Sequence, residues 1–200
     1  MKNKTPRAWQ RMLSGRRLDL LNPSPIDVEI DDIAHGLARV ARWNGQTSGE
    51  HTFSVAQHSL LVLEIFKTLN PKSDAKSNLY ALLHDASEYV MGDIISPFKV
   101  AMGGDYKKLE NSLLNAIHIR FSLPPSPSEK LKKQIKKADN QAAFFEATFL
   151  AGFEKTEAEK LFGEPKITSL DIKNFDDLIQ PYPTKQAQHH FIKSFKNLSR

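Results

Sequence analysis

Apolar residues recur at helical spacing along most of this chain. From Val55 to Leu69 the residues Val55, Leu60, Leu61, Leu63, Ile65, Phe66 and Leu69 form a stripe broad enough to predict a helix buried on most sides. Similar stripes predict helices over Leu79 to Val90, Tyr106 to Phe121 and Glu129 to Leu150, the last passing from a charged first half to an apolar second half. These four form the expected core. After Gly152 the pattern weakens, predicting a short helix near Glu154 to Phe162, a loop around Pro181 and Pro183, and a final helix from about Lys185 to Leu198. The best strand signal, Asp27 to Ile30, is short and acidic. Turn residues fall between the periodic stretches, at Asn22-Pro23-Ser24-Pro25, Gly92-Asp93 with Pro97, Gly103-Gly104 and Pro124-Pro125-Ser126-Pro127, and place a helix start near Ser128. The expectation is an all-α helical bundle, one domain over residues 1–200 with a core at about 41–150 and a C-terminal helical extension at 151–200.

Composition narrows the chemistry. Lys and Arg number 28 against 23 Asp and Glu, a net charge of +5 spread along the chain. That balance suits an anionic ligand. No basic stripe with interleaved aromatics points to nucleic acid. There is no cysteine, so any metal site must be built from nitrogen and oxygen ligands. No apolar run approaches the ~20 residues that span a bilayer, and Met1 to Arg17 is polar and basic without an apolar signal core. The expected setting is cytoplasmic, with no membrane partner.

The most informative string is Leu83-His84-Asp85-Ala86-Ser87-Glu88, inside the helix expected over Leu79 to Val90. An imidazole beside a carboxylate, ~100° apart around a helix axis, can share one ion lying between them. The plainer alternative is a hydrogen-bonded core pair. His58 sits among apolar neighbours in Val55-Ala56-Gln57-His58-Ser59-Leu60, and Asp139 lies where the long helix changes from polar to apolar. Each alone reads as an ordinary polar residue; three expected core helices each carrying a ligand-type side chain do not.

The order His58, His84-Asp85, Asp139 resembles the HD superfamily of metal-dependent phosphohydrolases. Gln57-His58-Ser59, His84-Asp85-Ala86-Ser87-Glu88, Gly92-Asp93 and Pro97-Phe98-Lys99 are similar to the bacterial 5'-deoxynucleotidases and the small phage-type dATP triphosphohydrolases, over roughly Ala41 to Phe145. The resemblance implies one divalent ion held by His58, His84, Asp85 and Asp139. Two imidazoles and two carboxylates suit Co, Mn, Zn, Fe or Ni better than Ca, with room for an additional Mg; the ion would act as a Lewis acid toward a phosphoryl group. Glu88, four residues after His84, would share its face on a continuous helix. In the resembling nucleotidases a Glu and an Asp at the positions of Glu88 and Asp93 flank the reacting phosphate, which makes Glu88 the expected general acid or base and Asp93 an auxiliary. The alternatives are an exposed helix carboxylate and a turn residue.

Arg42-Trp43 resembles an Arg-Trp pair that holds phosphate through the Arg and sugar or base through the Trp; guanidinium donors and a flat ring fit those tasks. Lys99 and Lys136 are candidates for further phosphates, or else solvated surface lysines. His51, His118 and His189-His190 are left out of the ion set, and Phe144, Phe145, Phe149 and Phe153 are read as core. The expected activity is hydrolysis of a small-molecule 2'-deoxynucleotide, as a 5'-nucleotidase on a monophosphate or a triphosphohydrolase on a triphosphate such as dATP. Relatives of this type are usually homo-oligomers. The competing reading is a non-catalytic nucleotide-sensing HD module, against which Glu88 argues.

Overall fold

Side chains at three helix starts close the first turn by accepting from otherwise orphaned backbone N–H groups: Ser54 from Gln57, Asp74 from Ser77 and Ser128 from Leu131. The helices they start are α2 (Val55–Leu69), α3 (Ala75–Leu82) and α6 (Glu129–Phe149). The computed structural model describes residues 8–95, 98 and 103–199, so Pro97 and Lys99 lie outside the described residues. Among the described residues, further helices are α1 (Ile30–Leu37), α4 (Glu88–Met91), α5 (Gly104–Arg120), α7 (Lys155–Phe162), α8 (Phe175–Ile179) and α9 (Thr184–Leu198). The all-α expectation holds.

Helix α2 is the axis of the bundle. It packs against α6, α3, α9, α8 and α1 and is buried from Val55 through Leu63, as a stripe apolar nearly all round requires. Gln57, fully buried, acts as a clamp between this helix and the C-terminal segment. Its Nε2 donates to the carbonyls of Leu178 (2.7 Å) and Gln180 (2.5 Å), and its Oε1 accepts from the Tyr182 N–H (2.9 Å). Gln57→Ala strands three backbone groups, and is expected to cost about 2–4 kcal/mol in urea denaturation; an unchanged midpoint would show that the clamp carries no stability.

Three expectations are corrected. The acidic stretch Asp27 to Ile30 is not a strand: Pro25–Asp27 is a 3-10 turn, and α1 begins at Ile30 with Asp31 and Asp32 in its first turn, where carboxylates favour the helix dipole. The strands among the described residues are a small antiparallel hairpin, β1 (Trp9–Arg11) with β2 (Arg17–Asp19). Its turn is tied to α1 by Ser14, whose N–H donates to Asp32 Oδ1 at 3.0 Å. Phe149 is 53% exposed and so not core, whereas Phe144 and Phe145 are buried.

The third correction bears on the site. The helix expected over Leu79 to Val90 stops at Leu82, and α4 restarts at Glu88. Between them the chain makes tight turns, with the Ala86 N–H bonded to the Leu83 carbonyl and the Glu88 N–H to the Asp85 carbonyl, each at 3.0 Å. Helix α4 is held against α1 at Gly36, where a Cβ would stand 2.7 Å from the Tyr89 carbonyl oxygen. Only a glycine permits that approach.

Candidate metal centre

His58 enters from α2, His84 and Asp85 from the turn between α3 and α4, and Asp139 from the middle of α6. Neighbouring residues on a regular helix do not face each other. The break after Leu82 lets two adjacent side chains converge, with His84 Nε2 and Asp85 Oδ2 3.2 Å apart. His58 Nε2 lies 3.3 Å from His84 Nε2, 3.4 Å from Asp85 Oδ2 and 3.4 Å from Asp139 Oδ1, and the donor atoms of His58, His84 and Asp139 all fall within 4.8 Å of one another. Donors each about 2.0–2.2 Å from a common ion stand roughly 3.0–3.5 Å apart when adjacent, so these separations fit a single divalent cation.

The imidazoles are turned for ligation by what their other nitrogens meet. His84 Nδ1 lies 2.9 Å from the Ala81 carbonyl oxygen, which can only accept, so Nδ1 carries the proton and Nε2 presents its lone pair. His58 Nδ1 lies 2.5 Å from Glu146 Oε1 and is oriented in the same way. Burial and the Arg42 guanidinium oppose a positive charge on His58, but the carboxylates of Glu146, Asp139 and Asp85 outweigh both and hold its pKa well above the ordinary value. Burial would raise the carboxyls; His84 and His58 instead hold Asp85 well below its usual range, and chiefly His58 lowers Asp139. The cluster is thus acidic enough to favour a cation, and an incoming ion would displace the imidazole proton.

Glu146 is the residue that sequence reasoning missed. It lies on α6 seven residues after Asp139, two turns further along the same face, and is fully buried. Its Oε2 accepts from Trp43 Nε1 at 2.9 Å and Arg42 Nε at 3.3 Å, while Oε1 meets His58. Burial works against its charge, yet His58 and Arg42 lower its pKa to about 2. The available signal was a lone carboxylate inside Ala142-Ala143-Phe144-Phe145-Glu146-Ala147, where an unpaired charge would be costly.

Arg42 and Trp43 are brought to this cluster by a short antiparallel bridge in which the Arg42 N–H bonds to the Phe53 carbonyl (2.9 Å) and the Val55 N–H to the Val40 carbonyl (3.0 Å). Trp43 and Asn44 then adopt left-handed backbone angles, with φ of 55° and 50°, a conformation costing of order 1–3 kcal/mol for a bulky residue. The strain lies where Trp43 must reach Glu146. Arg42 also donates through Nη1 to Asp93 Oδ2 at 2.9 Å, so Asp93 orients the guanidinium; its Nη2 has no hydrogen bond to a described residue. Lys136 is not a free phosphate ligand here: its Nζ pairs with Asp139 Oδ2 at 2.7 Å. Glu88 opens α4 and is 2% exposed; with the helix broken, the expected shared face with His84 no longer applies. Lys99 is outside the described residues. His118, left out of the ion set, is a core histidine with Nδ1 bonded to the Pro125 carbonyl at 2.7 Å.

Residues 34–166 match the family described as 5'-deoxynucleotidase YfbR-like. An uncharacterized protein of Rhodobacter capsulatus is 57% identical over 190 residues, covering 93% of this chain and 96% of that protein. The uncharacterized protein YfdR of Escherichia coli is 36% identical over 106 residues, 53% of this chain and 54% of its own length. The 4'-phosphooxetanocin A phosphatase of Priestia megaterium is 29% identical over 184 residues, 82% of this chain and 92% of the phosphatase.

Proposed function

The chain belongs to the YfbR-like 5'-deoxynucleotidase family of HD-domain, metal-dependent phosphohydrolases, and from that premise we propose that it removes phosphate from the 5' position of 2'-deoxynucleotides. The observation that carries this reading is the cluster in which His58 faces His84, Asp85 and Asp139 at 3.3 to 3.4 Å and His84 faces Asp85 at 3.2 Å, beside a guanidinium and an indole held on one carboxylate. The ion such a set would hold, Co, Mn, Zn, Fe or Ni with room for an additional Mg, supplies Lewis-acid polarisation of a phosphate oxygen when bound.

In this reading the chain's own groups do the rest. Arg42, fixed through Nη1 and Nε, offers its Nη2 donors to a phosphate oxygen, and the pairing with Asp93 and Glu146 preorganises that contact. Trp43 presents an indole for the sugar or base. Water attacks phosphorus, the bond to the 5' oxygen breaks, and Glu88 is the acid or base that handles the proton at the leaving oxygen. Glu88→Ala is expected to lower turnover about 10²- to 10⁴-fold with the ion still bound; an unchanged rate removes Glu88 from the chemistry. In this reading residues 1–200 act as one functional domain in the cytoplasm, and as a homo-oligomer, the state the resemblance implies. Among the described residues no helix is long and apolar enough to cross a membrane.

The decisive experiment incubates the protein, with Mn or Co, with 2'-deoxynucleoside mono- and triphosphates and their ribose counterparts, and separates the products. Release of deoxynucleoside supports the proposal. Binding without turnover of any nucleotide would replace it with a sensing role.

A further inference from the structure

Trp43 meets more of the protein than the Glu146 carboxylate. Its ring centroid lies 5.5 Å from that of Phe153, with the planes tilted at 55°, and 5.9 Å from that of Phe162, nearly edge-on at 82°. All three rings are half-buried. Aromatic pairs favour such tilted and edge-to-face arrangements, because the positive rim of one ring meets the negative face of the other. The hydrogen bond from Trp43 Nε1 to Glu146 Oε2 fixes one point of the indole, and a ring held at one point can still pivot. Two neighbours at different inclinations fix its plane.

Both phenylalanines are delivered by one short segment. Gly152 (φ 75°) and Gly163 (φ 84°) bracket α7 in backbone conformations that other residues rarely adopt. Between them α7 packs against α6 and buries Ala158. The segment is tied at its start, where the Phe153 N–H donates to the Ala147 carbonyl at 3.0 Å. The turn that carries Trp43 is tied to the same end of α6, the Ser48 N–H donating to the Leu150 carbonyl at 2.8 Å. Each phenylalanine also borders open space. Phe162 lines a cavity of about 310 Å³ with Lys133, Lys137 and Lys166, and Phe153 lines one of about 520 Å³ beside Phe144 and Thr148. Neither is a fully buried core ring, and what the two share is Trp43.

We infer that Phe153 and Phe162 are positioning residues: they set the plane of the Trp43 indole, and through it the orientation of the sugar or base of a 2'-deoxynucleotide. This rests on the hydrolase reading above, in which Trp43 meets that part of the substrate, and it gives control of the contact to a segment that supplies no ion ligand. An indole held in its plane beforehand need not be ordered when substrate binds.

The test is made in a W9F background, which leaves Trp43 as the sole tryptophan. F153L/F162L keeps apolar volume and removes both flat rings, whereas F153Y/F162Y keeps the rings, with the cavities offering room for the hydroxyls. Near-ultraviolet circular dichroism reads the fixed environment of Trp43, and far-ultraviolet circular dichroism checks folding. The leucine variant is expected to lose most of the Trp43 signal and to raise KM for dAMP about tenfold, as loss of two aromatic pairs implies, with kcat changed less than about threefold. Inhibition by inorganic phosphate, which the indole does not orient, should stay within about twofold of the parent. The tyrosine variant should match the parent in every respect. If the double leucine variant does not fold, F153L and F162L singly carry the same comparison with smaller shifts. An unchanged KM for dAMP overturns the inference. So does a raised KM with the Trp43 signal intact, since the phenylalanines would then act on substrate without the indole. Equal losses for dAMP and inorganic phosphate overturn it too, because the whole site would then have shifted. If the parent binds dAMP without hydrolysing it, the same contrast in calorimetric dissociation constants keeps the inference while the hydrolase reading fails. If it binds no 2'-deoxynucleotide, both fail.

Discussion

Glu146→Ala is expected to destabilise the protein by about 3–5 kcal/mol, the range for breaking a buried charged network by removing one partner. The carboxylate is fully buried and meets His58, Arg42 and Trp43 at once. Without it the half-buried Arg42 keeps only Asp93, His58 loses the acceptor that turns its Nε2 inward, and Trp43 no longer has the bond that compensates its left-handed backbone. Urea denaturation reads the stability. Glu146→Gln preserves shape while removing charge, and separates folding from ligation. It is expected to weaken divalent-ion affinity about 10- to 100-fold, the usual effect of losing a group that orients a ligating histidine, as measured by calorimetric titration with Mn. If the Gln variant matches the wild type in both stability and ion affinity, Glu146 is only a buried spectator.

Asp85→Ala is expected to lower turnover by more than about 10³-fold, because an ion that lends several kcal/mol to the transition state is lost together with one of its carboxylates. A second readout does not depend on substrate. An ion present at 100 times its dissociation constant stabilises the folded protein by about 2.7 kcal/mol, so added Mn should raise the melting temperature of the wild type and leave the variant unmoved. Equal Mn stabilisation of both proteins would remove Asp85 from the ion set. Wild type stripped by a chelator should lose turnover, and regain it when Mn or Co is returned.

The sequence was most legible where one side chain's environment follows from its own element. The stripe from Val55 to Leu69 coincides with α2 because a helix surrounded by others must be apolar nearly all round. Ser128 marks the start of α6, since a hydroxyl at that position caps the first turn locally. The His-Asp string was legible as residue types but not as backbone. Its periodicity continues through Leu83 to Ser87, yet the chain there makes tight turns, a departure that apolar spacing does not record.

What the sequence determined by itself is the all-α class, the principal helices and the supply of ion-type donors along the chain, because helical period and ligand chemistry are local properties. Tertiary structure alone decided that α3 stops before His84 so that adjacent side chains can converge, that Asp93 and Glu146 fix Arg42, and that the lysines of α6 border a cavity against Phe162 and Lys166. The Arg42 contacts join groups 51 and 104 residues apart at hydrogen-bond distance. Packing sets such distances, and no spacing along the chain encodes them.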